Sequence, residues 1–232
     1  MKYAKNGLIR FVGHLDTVRS LLRAVRRAGI EGVYSQGFTP RLRLSFGPPL
    51  PLGCTSDCEY IDIKLARMCE PEVIKERLQS QLPQGLVVEK VEMLEGRPPP
   101  LQTAFWAAEY EVELPRDCPI GFENVQRLGF VNGSSRDHSA ESSDSVKGKG
   151  EMRSSLAKAQ RSQRRGGSDR ILRASWRGKD GGRHLLSLVL RQDAPGGGRL
   201  KEIIGSFLGI EGGELEKLRI HKKRVYWRGE RI

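Results

Sequence analysis

Arginine, glycine and proline mark one stretch of this sequence as a candidate binding element. Residues 41–46, with the sequence RLRLSF, alternate arginine or serine with apolar side chains, which is the period of a half-buried strand. Glycine and proline stand on both sides, at Gly37 and Pro40 before the strand and in Gly47-Pro48-Pro49 after it. Because proline restricts the backbone, we expect the two arginines to hold a fixed geometry against a planar anion such as phosphate.

Further basic and aromatic residues precede this strand. A helix predicted from His14 to about residue 28 carries four arginines on the side away from its apolar stripe, namely Arg19, Arg23, Arg26 and Arg27. Tyr34 and Phe38 add aromatic surface on which a base could stack. The sequence therefore predicts nucleic-acid contacts by Arg19, Arg23, Arg41, Arg43, Tyr34, Gln36 and Phe38.

The same residues also have a purely structural interpretation. Tyr34 and Phe38 would then belong to the core, and Arg43 would pair with Asp62 across the sheet. The prolines would only protect an edge strand against pairing with another chain. Polar groups in rigid loops are more often functional than structural, so the sequence favours binding.

His14-Leu15-Asp16, at the start of the predicted helix, contains the one candidate for catalysis. The pKa of a histidine is close to neutral, which makes His14 a weak candidate general acid or base for metal-independent RNA cleavage. Asp16 suits the positive end of the helix dipole and can accept hydrogen bonds from the free backbone amides there. Because capping explains both residue type and position, the sequence favours capping and predicts no catalytic residue.

The elements that must position these residues follow a recognisable order. Strands are predicted at residues 8–12, 41–46, 59–65 and from residue 85, and helices at residues 14–28 and from Pro71. Leu44 and Phe46 would point towards the helices, and the first helix would bury Leu15, Val18, Leu22 and Val25. The order strand, helix, strand, strand, helix, strand is typical of a ferredoxin-like unit, an antiparallel sheet with two helices on one face.

A similar order recurs after the stiff connector GRPPPLQ. Strands are predicted at residues 108–114, 171–176, 184–191 and 218–227, and helices at residues 120–130 and 200–208. Residues 131–170 are rich in serine, glycine and charge, which predicts a disordered basic insertion. We therefore predict an α+β fold of two tandem ferredoxin-like units, with residues 1–95 as the first, 96–107 as the connector and 108–232 as the second.

The composition indicates a polyanionic partner. Forty Lys and Arg against 28 Asp and Glu give a formal net charge of +12, and nucleic acid is the commonest polyanion. The sequence has no membrane-helix stretch and no signal-peptide core, which predicts a cytoplasmic protein without a membrane partner. The cysteines do not have zinc-site spacing, so we expect thiols and no metal or other cofactor at Cys54, Cys58, Cys69 and Cys118.

One long motif resembles a known family. The run IRFVGHLDTVRSLLRAVRRAGI, followed by YSQGFTPRLRLSFGPPLPLG and EYIDIKL, is similar to the radical-SAM-linked domain of unknown function. Members of that family occur in bacteria, alone or as the C-terminal extension of cobalamin-type radical S-adenosylmethionine (radical SAM) proteins. The resemblance is dense in the N-terminal part and loose in the second half. It implies a stand-alone bacterial member that is associated with a separately encoded radical SAM enzyme.

Radical SAM enzymes hold an iron–sulfur cluster with three clustered cysteines, and this sequence has no such triplet. We therefore expect a non-catalytic accessory protein that presents RNA or a ribonucleoprotein to such an enzyme. Two alternatives stay open. One is a metal-independent RNA-processing endonuclease that uses His14. The other is a protein–protein adaptor whose arginines meet an acidic patch on the partner, without nucleic acid.

Overall fold

The first strand of the fold lies before the one that the sequence predicts. The computed structural model, which describes residues 1–96, 98–115, 170–180, 183–192 and 200–232, has strand β1 at Lys2–Lys5 and a 3-10 helix at Gly7–Phe11. The predicted strand at residues 8–12 is therefore wrong, and Arg10 does not lie on a strand. The pattern was misleading because Lys5 is buried in β1, whereas Leu8 and Phe11 are exposed.

Helix α1 (His14–Arg27) agrees with the predicted helix in its bounds but not in its buried face. It ends two residues before Gly29, whose φ of +65° favours glycine. Val25 is buried as predicted, but Leu15 is 68% exposed. The residues that α1 buries are Thr17, Leu21, Ala24 and Val25. The apolar face is thus rotated away from the predicted stripe, and the first turn of α1 leaves its leucine in solvent.

A narrow loop, residues 33–43, leads from the segment after α1 into the sheet, and we call it the arginine hairpin. Strand β2 (Leu44–Phe46) follows it directly and pairs antiparallel with β3 (Thr55–Ile63), with Leu44 opposite Ile63 and Phe46 opposite Ile61. The strand predicted at residues 41–46 is therefore confirmed in its second half. Its first half belongs to the arginine hairpin.

A second helix and a fourth strand complete this part of the sheet. Helix α2 (Pro71–Gln79) has its proline in the first turn, where no backbone N–H is needed, and buries Ile74 and Leu78. Strand β4 (Leu86–Lys90) pairs antiparallel with β1, which also pairs antiparallel with β3. The order strand, helix, strand, strand, helix, strand is the one that the sequence predicts.

Two apolar clusters join α1 and α2 to one face of these strands. The first contains Ala24, Val25, Leu42, Ile74, Leu78 and Val88. The second contains Tyr3, Ile9, Leu21, Ile61 and Leu86. Leu44 packs against both clusters and Phe46 against the second, each partly buried, so their predicted direction towards the helices is confirmed.

The other described elements agree closely with the predicted ones. They are helix α3 (Leu101–Ala104), strands β5 (Phe105–Leu114), β6 (Ile171–Asp180) and β7 (Arg183–Arg191), helices α4 (Leu200–Leu208) and α5 (Gly213–Lys217), and strand β8 (Arg219–Trp227). The sequence does not predict α5, nor α3 within the proposed stiff connector. The helix predicted at residues 120–130 and the insertion up to residue 169 lie outside the described residues.

The fold is of the mixed α+β class, with an eight-stranded sheet in the part of the chain that the structure describes. The chain divides into two compact units: Met1–Glu111, Arg191–Asp193 and Arg219–Ile232 form the first, and Val112–Leu190 and Ala194–Leu218 the second. Within the first unit the strands follow the order β4, β1, β3, β8, β5, with β2 also on β3. The tandem ferredoxin-like arrangement and the predicted domain boundaries stay predictions. None of the described helices is both long and apolar enough to cross a membrane.

Candidate nucleic-acid interface and buried ion pair

The arginine hairpin holds its two arginines outward by a short antiparallel ladder. The backbone N–H of Arg43 donates to the Val33 carbonyl at 2.8 Å, and that of Ser35 donates to the Arg41 carbonyl at 2.7 Å. The Arg41 N–H donates in turn to the Ser35 Oγ at 2.9 Å. Leu42, between the two arginines, is buried in the cluster of α1 and α2. The alternation of side chains along this extended arm of the hairpin therefore leaves Arg41 and Arg43 exposed.

The predicted aromatic residues also lie on the arginine hairpin and are exposed. Phe38 is fully exposed near the tip, Gln36 is exposed, and Tyr34 is 42% exposed where it bridges to Leu42. The alternative in which Tyr34 and Phe38 belong to the core is therefore wrong. The structure brings five of the predicted contact residues into one loop: Tyr34, Gln36, Phe38, Arg41 and Arg43.

The second structural alternative, an ion pair between Arg43 and Asp62, is also wrong. Asp62 lies opposite Ser45, and burial raises the pKa of its carboxyl group although the N-terminal ammonium group opposes this. The guanidinium groups of Arg41 and Arg43 form no hydrogen bond or ion pair with any described residue. Their charge is therefore open to a ligand.

The predicted arginines of α1 do not form a uniform surface. Arg19 forms an ion pair with Asp16 at 2.8 Å, whereas Arg23 is exposed and has no such partner among the described residues. Arg27 donates from Nη2 to the carbonyl oxygen of Gln81 at 2.6 Å and from Nε to its Oε1 at 3.1 Å. Arg23 therefore resembles the hairpin arginines, and Arg27 has a structural role.

Asp16 does not cap α1 as the sequence suggests, and the candidate catalytic role of His14 stays a prediction. The first turn of α1 has no side-chain cap, so the predicted capping hydrogen bond of Asp16 is wrong, because the aspartate turns to Arg19 instead. His14 is half-buried, with its ring edge-on to Phe46 at a centroid distance of 6.0 Å. Burial lowers the pKa of His14, which favours the neutral imidazole, although the Glu59 carboxylate opposes this.

A buried ion pair between β3 and β8 is the strongest electrostatic feature that the sequence analysis missed. The Lys222 Nζ lies 2.9 Å from the Glu59 Oε1, and both residues are buried. The Ser56 hydroxyl donates to the same carboxylate oxygen at 2.7 Å. Burial is the largest single influence and lowers the pKa of Lys222, but the charge and hydrogen bond of Glu59, together with Tyr110 and Cys58, outweigh it. The pKa is therefore raised and the lysine stays charged. We call Ser56, Glu59 and Lys222 the buried ion-pair cluster.

The polar groups around this cluster also have hydrogen-bond partners. The Cys58 Sγ lies 3.6 Å from the Lys222 carbonyl as a donor, and the buried Lys5 donates from Nζ to the Val12 carbonyl at 2.7 Å. Burial raises the pKa of Tyr110 to about 12, and its hydroxyl accepts a hydrogen bond from Gln192 at 3.1 Å. These satisfied groups give the cluster a structural character.

The cysteines do not combine with other ligands into a metal site where the structure describes them. Cys54 and Cys58 are buried thiols and Cys69 is a half-buried thiol. No group of three His, Cys, Asp or Glu side chains in the described ranges could hold a metal ion. Cys118 lies outside those ranges.

Comparison with protein-family models identifies the family of this chain. A family model described as an uncharacterized protein conserved in bacteria (DUF2344) matches residues 1–165. No curated protein matches the chain. The family match confirms the bacterial domain of unknown function that the sequence motif indicates, and the association with radical SAM enzymes stays a prediction.

Proposed function

Since the chain belongs to the DUF2344 family of bacterial proteins, we propose that it is a non-catalytic accessory protein that binds RNA, alone or within a ribonucleoprotein. The arginine hairpin would provide the contact, with Arg41 and Arg43 on phosphates and Tyr34, Gln36 and Phe38 beside the bases. Arg19 and Arg23 on α1 would extend the basic surface. The ligand would be presented to a separately encoded radical SAM enzyme in the cytoplasm, by two tandem ferredoxin-like units.

The observation that supports this proposal most is the exposure of charge and aromatic surface on one anchored loop. Leu42 fixes the arginine hairpin to the core, while the guanidinium groups on either side of it have no partner among the described residues. A fixed backbone reduces the ordering cost of binding. Guanidinium groups match phosphate geometry, and exposed aromatic rings can stack bases.

The first experiment compares RNA affinity at one fixed salt concentration. We expect the double variant Arg41→Ala/Arg43→Ala to bind a short single-stranded RNA more weakly than the native chain. Lys75→Ala/Arg77→Ala, which removes two exposed cations from α2, is the charge-matched control and should keep nearly native affinity. Equal losses in both variants would mean that only net charge matters and would contradict a site on the arginine hairpin.

Two outcomes of the same assay would favour the rival functions. Metal-independent cleavage of the RNA by the native chain, lost in His14→Ala, would indicate an endonuclease. An absence of RNA binding, together with capture of an acidic protein that depends on Arg41 and Arg43, would indicate a protein–protein adaptor.

The proposed partner needs its own test. Affinity capture with the tagged chain in its bacterial host should recover a protein that carries the three clustered cysteines of a radical SAM enzyme. Capture that fails both with and without RNase treatment would contradict a direct or RNA-mediated association with such an enzyme, whatever the result for RNA.

A further inference from the structure

A small cleft opens on the face of the sheet that α1 and α2 do not cover. Tyr3 and Ile61 point into the second apolar cluster, and side chains alternate along a strand. Lys2 on β1 and its partner Tyr60 on β3 therefore point to the opposite face. A cleft of about 210 Å³ lies there, lined by Lys2, Cys58, Tyr60, Lys223, Arg224, Val225, Trp227 and Glu230.

The aromatic wall of the cleft is held in place before any ligand arrives. The Trp227 ring packs against Phe105 at a centroid distance of 4.5 Å and edge-on against Tyr60 at 5.2 Å, yet the residue stays 40% exposed. Glu230 fixes the turn that follows Trp227. Its carboxylate accepts a hydrogen bond from the Trp227 backbone N–H, and its backbone carbonyl accepts one from the Trp106 indole N–H. A rigid, partly exposed indole is a surface on which a flat ring can stack.

The rim of the cleft adds positive charge beside this wall. The Lys223 Nζ lies 3.4 Å from the Glu111 Oε2 and forms an ion pair with it. Arg224 forms a second ion pair with Glu230. The side-chain ammonium group of Lys2 forms no hydrogen bond or ion pair with another described residue. One ammonium group is therefore available to an anion next to the exposed indole.

The size of the cleft limits the ligand. Pockets for drug-sized molecules have about 300–1,000 Å³, and this cleft is smaller. We propose that it binds one nucleotide of a single-stranded RNA, with the base stacked on Trp227 and a phosphate beside Lys2. The proposal rests on the RNA-binding function proposed above and adds a base-dependent contact to the phosphate contacts of the arginine hairpin.

The test compares a short single-stranded RNA with an abasic oligonucleotide of the same length and backbone charge. Trp227→Leu should weaken the binding of the base-containing RNA by about 5- to 150-fold, the range for the loss of one stacked base, and leave the abasic strand unaffected. Trp227→Phe retains a ring that can stack and should lose less affinity. Trp176→Leu on β6 is the matched control and should behave like the native chain, with thermal melts of all variants alongside.

The outcomes separate this proposal from the proposed function. If binding depends on Arg41 and Arg43 but folded Trp227→Leu binds both strands like the native chain, the cleft proposal is wrong and the arginine hairpin still binds RNA. If the native chain binds no RNA, the proposed function fails. The binding of AMP to the cleft is then the test of the cleft proposal. A shift of the Trp227 indole NMR signal on addition of AMP would support the cleft, and an unchanged signal would overturn it.

Discussion

The arginine hairpin and the buried ion-pair cluster place positive charges in opposite environments. Arg41 and Arg43 lie in solvent on either side of a buried leucine, and neither guanidinium group has a partner among the described residues. Lys222 lies in the interior and its ammonium group contacts the carboxylate of Glu59. The fold thus neutralises the buried ammonium group of Lys222 and leaves the exposed guanidinium groups of Arg41 and Arg43 open to a ligand.

This difference separates stability from binding. A buried charge is costly unless it is paired, so the removal of either partner of the ion pair should destabilise the fold. An exposed arginine without an ion pair contributes little to stability, and its removal should affect only a bound ligand. The following predictions test this separation, beginning with the largest expected effect.

Lys222→Met should destabilise the protein by about 3–5 kcal/mol, because it leaves the Glu59 carboxylate buried without its counter-charge. The measurement is the free energy of unfolding from urea titration. The matched control is Lys217→Met, which breaks the exposed ion pair with Glu214 and should cost less than about 1 kcal/mol. The double variant Lys222→Met/Glu59→Leu should recover much of the loss, and equal losses in the single and double variants would contradict an electrostatic cause.

Leu42→Ala should cost about 2–5 kcal/mol of stability, because Leu42 is buried in the cluster that holds the arginine hairpin to α1 and α2. Arg43→Ala, one residue further on, should change stability by less than about 0.5 kcal/mol. Leu44→Ala should lie between the two, since Leu44 is only partly buried. A large loss of stability in Arg43→Ala would show that the arginine has a structural role.

Stability should fall between about pH 10 and pH 12 as the pH rises. Burial raises the pKa of Tyr110 to about 12, so above its unfolded pKa of about 10 the native state keeps a proton that the unfolded chain has lost. The raised pKa of Lys222 acts in the same direction, since its stabilising charge is lost from the unfolded chain first. Each such group contributes at most about 1.4 kcal/mol per pH unit.

Tyr110→Phe removes one of these titrations and should make the alkaline loss of stability shallower. Urea unfolding of the native chain and the variant across this pH range measures the difference. Identical alkaline slopes for the two proteins would contradict the assignment of a raised pKa to Tyr110.

The sequence predicted the exposure of Arg41 and Arg43 correctly because the signal there is local. Alternation of arginine and leucine, with proline and glycine nearby, is enough to predict which side chains of a strand are exposed. The same reasoning failed at Leu15, which is 68% exposed, because the face that α1 buries is rotated away from the predicted apolar stripe. It failed at β1 because Lys5 is buried, which residue type alone does not indicate.

The buried ion-pair cluster escaped prediction because its partners are distant in sequence. Glu59 and Lys222 are 163 residues apart and meet only because β3 and β8 pair in parallel. A partial signal was present, since Glu59 has the same position in the strand alternation as the apolar Ile61. A charged residue in an inward position requires a partner, but one sequence alone does not identify that partner.

The most direct test of the central claim is the salt dependence of RNA affinity. Each phosphate contact contributes about 0.7 to the slope of log Kobs against log salt concentration for single strands. We expect Arg41→Ala and Arg43→Ala each to lower the slope by about that amount, with native unfolding curves, while Arg77→Ala keeps the native slope. An unchanged slope in both hairpin variants would contradict the claim that the arginine hairpin binds phosphates.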